Sequence, residues 1–543
     1  MFFSRRQLFM LAIVGVSILA LAAAMTSPAF AQPRGGPAPR PEFIPEDYND
    51  QQHMREQLGI KALRPGKSGQ NQTGEGFDEA TSDKWLHTLP DLMTMKDGAK
   101  VTTPAQWEKR RAEIVEDFER EMYGRIPSNV PGVTWEVTNT SEGISGEIPT
   151  ITKTLVGRVE NSAFPAITVN IQASFTVPAS ATEPVPIMIN FGGGGGGFGG
   201  GGRRGRGGAA ARGDGAARGD GPARGDGAPA AAQGEGPARG EGAARGGEGA
   251  VARRGRGRGP GGGGPSWTQL AISRGWGYGN INPGSIQADR GGNELRQGII
   301  GLTNKGEPRK PEDWGSLRAW QWGVSRLIDY FQTHPDAKVD AKKVGIEGVS
   351  RYGKAALVTG AFEPRLAVAF VASSGAGGAK LLKRDFGESL ENLTDVREYH
   401  WFCGNLLKYG ASEASFGSKN AADLPVDGHQ LIALCAPRLC FVSYGVEAQG
   451  DPKWVDAHGS YMATILAGPA YRLLGKKDLG VSDDYRTAPM PAVDQLVGNE
   501  LAWRQHSASP GHGSGGNYPT FFEWVGNYIK APSLPQSTTP DTN

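Results

Sequence analysis

Val344-Gly345-Ile346-Glu347-Gly348-Val349-Ser350-Arg351-Tyr352-Gly353-Lys354-Ala355-Ala356-Leu357 is the stretch on which the reading of the chain turns. Its first residues form a short run suited to a buried strand, and Lys354-Ala355-Ala356-Leu357 favours helix. Between them stands a serine, with Gly348 before it and Gly353 after it. A serine on a tight strand-to-helix turn has a strained backbone, and small neighbours keep that backbone clear of the adjoining elements; this is a nucleophile elbow. The spacing differs by one residue from the commoner Gly-x-Ser-x-Gly, and a bare Gly-x-Ser is also an ordinary turn, so the order strand, serine, helix carries the weight. Ser350 is the expected nucleophile. The backbone N–H of Arg351 then stands where a tetrahedral oxyanion forms, with the guanidinium as a second, charged donor.

The pattern around the elbow is β followed by α. Pro186 to Phe191 reads as a buried strand, Trp314 to Thr333 as a helix with Leu317, Trp320, Val324, Leu327, Ile328 and Phe331 on its apolar face, and Arg438 to Ser443 as the penultimate strand. Thr103-Pro104-Ala105-Gln106 is a capping box with proline at the first helical position, followed by Trp107, Ile114, Val115, Phe118 and Met122 at helical spacing. Segments 134–138, 152–159 and 166–177 alternate as antiparallel strands. Phe521 to Ile529 is the last apolar helix. Together these predict an α/β-hydrolase, a three-layer sandwich with a mostly parallel central sheet.

An elbow serine needs a base and an acid, and in this fold the chain order is serine, acid, histidine. Five histidines follow Ser350: His400, His429, His458, His506 and His512. His512, between glycines just before the last helix, is the expected base; His506 is its competitor, and His400 and His429 are expected to be structural or substrate-facing. The acid should follow the Arg438 to Ser443 strand, where Glu447, Asp451 and Asp456 stand. Asp451 ranks first, Glu447 is the alternative, and Asp456 comes last because it reads as the start of the next helix.

Composition bounds the rest. The chain has 543 residues, with 58 Lys plus Arg against 56 Asp plus Glu, a formal balance of +2. No strong field selects nucleic acid or an anionic membrane. Residues 1–31 read as a signal peptide: Arg5-Arg6, an apolar run from Leu11 to Ala24, and Ala29-Phe30-Ala31 as the cleavage site. The paired arginines fit a twin-arginine route, and an ordinary basic leader looks much the same. No later stretch is long enough to span a bilayer, so the expected product is an exported protein, periplasmic or extracellular, with no membrane attachment after cleavage. Residues 32–84 look like an extended arm in which no chemistry is legible. Residues 85–192 and 265–532 read as one esterase domain. The segment 193–264 collapses to Gly, Ala, Arg, Asp and Glu and is expected to be a disordered insertion, and 533–543 a flexible tail. Cys403, Cys435 and Cys440 leave at least one thiol free and fit no metal-ligand pattern; acyl transfer through a serine is expected to need neither metal nor organic cofactor.

The chain also resembles the glucuronoyl esterases, carbohydrate esterase family 15, from the arm near Gln57-Leu58-Gly59-Ile60 to the C-terminal helix. The most specific match is Gly348-Val349-Ser350-Arg351-Tyr352-Gly353-Lys354, similar to the family's Gly-Cys-Ser-Arg-x-Gly-Lys with Val349 in place of cysteine. The resemblance implies an esterase that cleaves bonds between 4-O-methylglucuronic acid on xylan and lignin alcohols, so the expected partner is a glucuronoxylan or lignin-carbohydrate ester, bound by a monomer. It implies Ser350 as nucleophile, Arg351 as oxyanion stabiliser, His512 as catalytic histidine, and Lys354, Glu388 and Trp454 as substrate-binding residues. Lys354 starting a helix, Glu388 as a surface charge and Trp454 as core filling are the plain alternatives. Some family members carry the triad carboxylate where this chain has Ser373-Ser374-Gly375, so here the later loop must supply it. Two rival functions stand beside this one: an acetyl or feruloyl esterase on the same fold, and a non-catalytic carbohydrate-binding exported protein.

Overall fold

Val368–Ala372 and Leu439–Gly445 are buried at every residue, as strands must be when both faces of their sheet are covered. The computed structural model describes residues 40–192 and 265–534; the expected leader, the 193–264 insertion and tail residues 535–543 lie outside the described residues. The strands are β1 (Ile60–Leu63), β2 (Val133–Ser145), β3 (Ile148–Val159), β4 (Asn170–Pro178), β5 (Val185–Phe191), β6 (Gly277–Ile281), β7 (Val339–Val349), β8 (Val368–Ala372), β9 (Ala411–Ala414), β10 (Leu439–Gly445), β11 (Leu496–Gly498) and β12 (Leu501–His506). Ten form one sheet in the order β11-β12-β10-β8-β7-β5-β6-β4-β3-β2. β6, β5, β7, β8, β10 and β12 run parallel; β2, β3, β4 and β11 are antiparallel to their neighbours. β5 precedes the insertion and pairs with β6 and β7, which follow it.

Alternation along the strands divides the core between two faces. On β8, Val368, Phe370 and Ala372 join Leu439 and Phe441 of β10 under Leu270, Phe521 and Val525. Ala369, Val371, Cys440 and Val442 face the other way, toward Leu317, Trp320, Ala355, Leu357, Tyr461 and Ile465. Helices Trp267–Ser273 and Tyr518–Val525 therefore cover one face, and Ser316–Thr333, Arg351–Phe362 and Ala457–Leu473 the other. This is the three-layer arrangement of an α/β-hydrolase.

Several boundaries differ from the sequence reading. β2 extends to Ser145 because backbone pairing with β3 continues through a polar, exposed stretch where no apolar alternation marks it. The strand expected from residue 166 begins at Asn170. The last helix starts at Tyr518, with proline in its first turn, and ends at Val525. The Thr103–Gln106 capping box forms as read.

The arm is less extended than expected. Asn49 caps a helix, Asp50–Gln57, and β1 then pairs with β9. The helix is tied down by a buried ion pair, Arg309 Nη2 to Asp50 Oδ2 at 3.2 Å, with both side chains at most 1% exposed. Arg309 also donates to the Phe402 carbonyl at 2.9 Å, which satisfies part of a charge that would be costly to bury alone. From Gly66 the arm runs toward the C-terminal ends of the parallel strands, where the site lies.

Candidate active site

Ser350 follows the last residue of β7 and precedes helix Arg351–Phe362, with φ 60° and ψ −127°. A positive φ is strained for a residue with a Cβ, and such strain persists only where the surroundings enforce it. The surroundings are close: a Cβ on Gly348 would lie 2.1 Å from the Tyr352 carbonyl oxygen, and one on Gly353 would lie 2.5 Å from that of Ala372. Both glycines of the motif are sterically required. The first N–H groups of the helix have no intrahelical acceptor, so the turn supplies donors beside the serine.

His512 lies on the loop after β12 and Asp451 on the loop after β10, strands adjacent in the sheet. Their side chains meet, Nδ1 to Oδ1 at 2.7 Å. The other oxygen of Asp451 accepts from Ser373 Oγ at 2.8 Å and from the Gly445 N–H at 2.7 Å. Three donors hold this buried carboxylate in place. With Nδ1 donating to it, His512 carries its lone pair on Nε2. Ser373 directly follows β8, and its hydroxyl steadies the Asp451 carboxylate on the loop after β10.

The other candidates are placed elsewhere. Glu447 is 59% exposed, with Lys453 Nζ 3.8 Å away. Asp456 caps helix Ala457–Leu473 through the Gly459 N–H at 2.9 Å and lies beside the buried Arg384 at 3.5 Å. His506, whose pKa burial lowers, donates from Nε2 to the Gly513 carbonyl at 2.9 Å and so braces the loop that carries His512. His429 is buried and bonds the Pro90 carbonyl.

Arg351 reaches Asp289 with Nη1 at 2.9 Å. Asp289 also accepts from Trp401 Nε1 at 2.7 Å and from His400 Nε2 at 3.1 Å. Burial raises the Asp289 pKa, but the hydrogen bonds from His400 and Trp401 and the charge of Arg351 outweigh it and hold the carboxyl below its usual range. One of five guanidinium donors is thus committed to aiming the side chain. His400 belongs to this brace.

Lys354 is not merely a helix start, nor Glu388 a surface charge: both side chains are 4% exposed, and Nζ lies 2.9 Å from Oε2. Lys354 also donates to the Ser374 carbonyl at 2.9 Å, and Glu388 accepts from the Ala376 N–H at 2.7 Å. Against this pair stands Glu398, which the sequence reading passed over. Burial pushes its pKa up to about 8, and the charge of Glu388 adds to that against Lys354 and Arg397. The half-buried Trp454 faces Phe77 of the arm, with ring centroids 6.5 Å apart. Ser350, Arg351, Lys354, Glu388, Trp401 and Trp454 line one cavity of about 270 Å³. Trp401 had no motif to betray it. Its neighbour His400 was the only hint.

The family model described as "Glucuronyl esterase, fungi" matches residues 309–475. A carbohydrate esterase, MZ0003, from an unknown prokaryotic organism is 30% identical over 444 residues, 80% of this chain and 89% of the relative. The chain belongs to the glucuronoyl esterases of carbohydrate esterase family 15. Among solved structures, the glucuronoyl esterase of Teredinibacter turnerae is 31% identical with a TM-score of 0.68, covering 88% of this chain and 98% of that one. A glucuronoyl esterase from Solibacter usitatus is 26% identical with a TM-score of 0.58, covering 80% and 97%. The matched span 309–475 holds Ser350, Lys354, Glu388, Asp451 and Trp454, whereas His512 lies beyond it.

Among the described residues no helix is long and apolar enough to cross a membrane. The three cysteines are buried and free, and burial pushes the Cys403 thiol up to about 12, far from reactivity.

Proposed function

We propose that the protein is a serine esterase that hydrolyses the ester between (4-O-methyl-)glucuronic acid of glucuronoxylan and lignin alcohols. The observation that carries this is the buried Lys354–Glu388 pair lining the same cavity as Ser350: a cation and a carboxylate side by side grip vicinal sugar hydroxyls, and the Trp454 indole offers a face for the ring.

Ser350 Oγ attacks the ester carbonyl carbon and gives its proton to His512 Nε2. Asp451 holds the imidazole tautomer and stabilises the imidazolium. The tetrahedral oxyanion accepts from the Arg351 N–H and guanidinium. Its collapse expels the alcohol, which takes the proton from His512. Water then attacks the acyl carbon, His512 takes and returns one proton, and the uronic acid leaves with Ser350 restored. Support for Asp451 over Glu447 is its contact with His512.

Residues 85–192 and 265–532 act as one catalytic unit, a reading supported by the pairing of β5 with β6 and β7. The leader at 1–31 marks it for export. Hydrolysis of benzyl glucuronate and of p-nitrophenyl acetate by the wild type and Ser350→Ala tests the proposal. Preference for the glucuronate, abolished by the alanine, is expected. Serine-dependent activity on the acetate alone would keep the esterase and reject the uronate; binding without turnover would leave a carbohydrate-binding protein.

A further inference from the structure

One short turn touches both halves of the site. Ser373 to Ala376 follow β8 and are all buried, and the chain takes a positive φ at Ser373 (43°) and again at Gly375 (61°). Ser373 Oγ donates to Asp451 Oδ2 at 2.8 Å. The Ser374 carbonyl accepts from Lys354 Nζ at 2.9 Å, and the Ala376 N–H donates to Glu388 Oε2 at 2.7 Å. Gly375 lies against the same pair, where a Cβ would stand 2.3 Å from Glu388 Oε2 and 3.4 Å from Lys354 Nζ. Any shift of this turn therefore moves the support of Asp451 and the Lys354–Glu388 pair together.

A serine at positive φ is strained, and the strain persists only where neighbours enforce it. The Ser373 N–H donates to the Ser443 carbonyl of β10 at 2.8 Å. The next residue of β10, Tyr444, holds the rest. Its Oη accepts from the Gly375 N–H at 3.2 Å, comes within 3.5 Å of Ser374 Oγ and lies 2.5 Å from Ser460 Oγ. Ser460 is itself anchored in the first turn of helix Ala457–Leu473, where its hydroxyl also reaches the Asp456 carbonyl at 3.0 Å. The Tyr444 ring stacks on Trp503, with centroids 5.3 Å apart. A buried N–H without an acceptor is costly, so the Gly375 amide is held to wherever ring and helix place the phenol oxygen. Tyr444 is fully buried and does not line the reaction cavity; it acts through the turn.

We propose that Tyr444 is a positioning residue for both halves of the reaction, its hydroxyl holding the turn from Ser373 to Ala376 in the position that serves Asp451 and the Lys354–Glu388 pair at once. The proposal rests on the glucuronoyl esterase reading and deepens it.

The test is steady-state kinetics of the full-length protein on benzyl glucuronate. Tyr444→Phe removes the hydroxyl and keeps the ring on Trp503. It is expected to lower kcat and raise KM, each by about three-fold, so that kcat/KM falls by about ten-fold, the worth of roughly one hydrogen bond. In a Ser373→Ala background the same substitution is expected to leave kcat nearly unchanged, because the link to Asp451 is already cut, while KM still rises; such non-additivity marks residues that act through one another. Ser460→Ala, which removes one partner of the phenol, is expected to change kcat and KM in the same directions by less, and it decides by the same criteria if Tyr444→Phe does not fold. Wild-type kcat and KM in Tyr444→Phe, whatever its melting temperature, would reduce Tyr444 to a packing residue and overturn the proposal. An equal loss of kcat with and without the Ser373 hydroxyl would overturn it too. Absence of turnover by the wild type would defeat the esterase reading, and this inference with it.

Discussion

Two carboxyl clusters, one reaching the cavity through Ser373 and the other lining it at Lys354, solve opposite electrostatic problems. On the catalytic side one carboxylate, Asp451, receives three donors, from His512, Ser373 and Gly445. On the sugar side two carboxyls, Glu388 and Glu398, crowd one buried cation, Lys354, and Glu398 keeps its proton to about pH 8. The first carboxylate is surrounded by N–H and O–H groups. A pair short of donors holds a proton instead. The first arrangement orients His512; in the proposed reaction the second presents a mixture of donors and acceptors to hydroxyls.

The sharpest way to break this contrast is at Asp451. Asp451→Asn removes the charge that fixes the His512 tautomer and is expected to lower kcat by about 10⁴-fold, whereas Glu447→Gln, on an exposed carboxyl, should leave the rate within about two-fold. Steady-state kinetics on benzyl glucuronate separates them, and the opposite ranking would move the acid to Glu447.

Next in size is Lys354→Met. It leaves Glu388 buried without its cation, a loss expected at about 3–5 kcal/mol in denaturant unfolding, with KM raised in whatever folds. A variant of unchanged stability would mean that the pair is solvated and not a grip.

Ser373→Ala tests how far the hydroxyl supports the acid. One of three donors is lost and the other two remain, so a fall of about ten-fold in kcat is expected, near the lower end of the roughly 1.5–3 kcal/mol for a hydrogen bond to a charged group. An unchanged rate would reduce Ser373 to a bystander.

The smallest effect on turnover, and the most specific in pH, belongs to Glu398. Its pKa is raised from 4.5 unfolded to about 8 folded. Below the unfolded value both states are protonated and the group is neutral to stability. As pH rises toward 8 the unfolded chain releases the proton more readily than the folded one, so the folded state loses relative stability and levels off above that range. Glu398→Gln should therefore match the wild type near pH 4 and exceed it near pH 8, in melting temperatures taken across that range. A parallel offset at all pH values would mean that Glu398 does not hold a proton.

What was legible in the sequence follows from how local each cause is. The elbow could be read because its strain is met by Gly348 and Gly353, within three residues of Ser350. The last histidine could be read from its place before the final helix. Asp451 could only be ranked, because its selection depends on Ser373, 78 residues away, and on His512, 61 residues away. Glu398 and Trp401 escaped because a carboxyl or an indole in a loop gains its role only from what other segments bury against it. The arm escaped for the same reason: Gly66 to Gln72 look like linker until Asn392 and Trp454 are seen to bond them.

The central claim is that Ser350 carries the glucuronoyl group during turnover. Rapid acid quenching of the full-length protein with benzyl glucuronate, followed by peptide mass spectrometry, tests it most directly. The account predicts one glucuronoyl group on the peptide containing Ser350, absent in Ser350→Ala and more abundant when hydrolysis of the acyl-enzyme is slowed. Turnover of the ester by Ser350→Ala, or an acyl group found on a different residue, would contradict it.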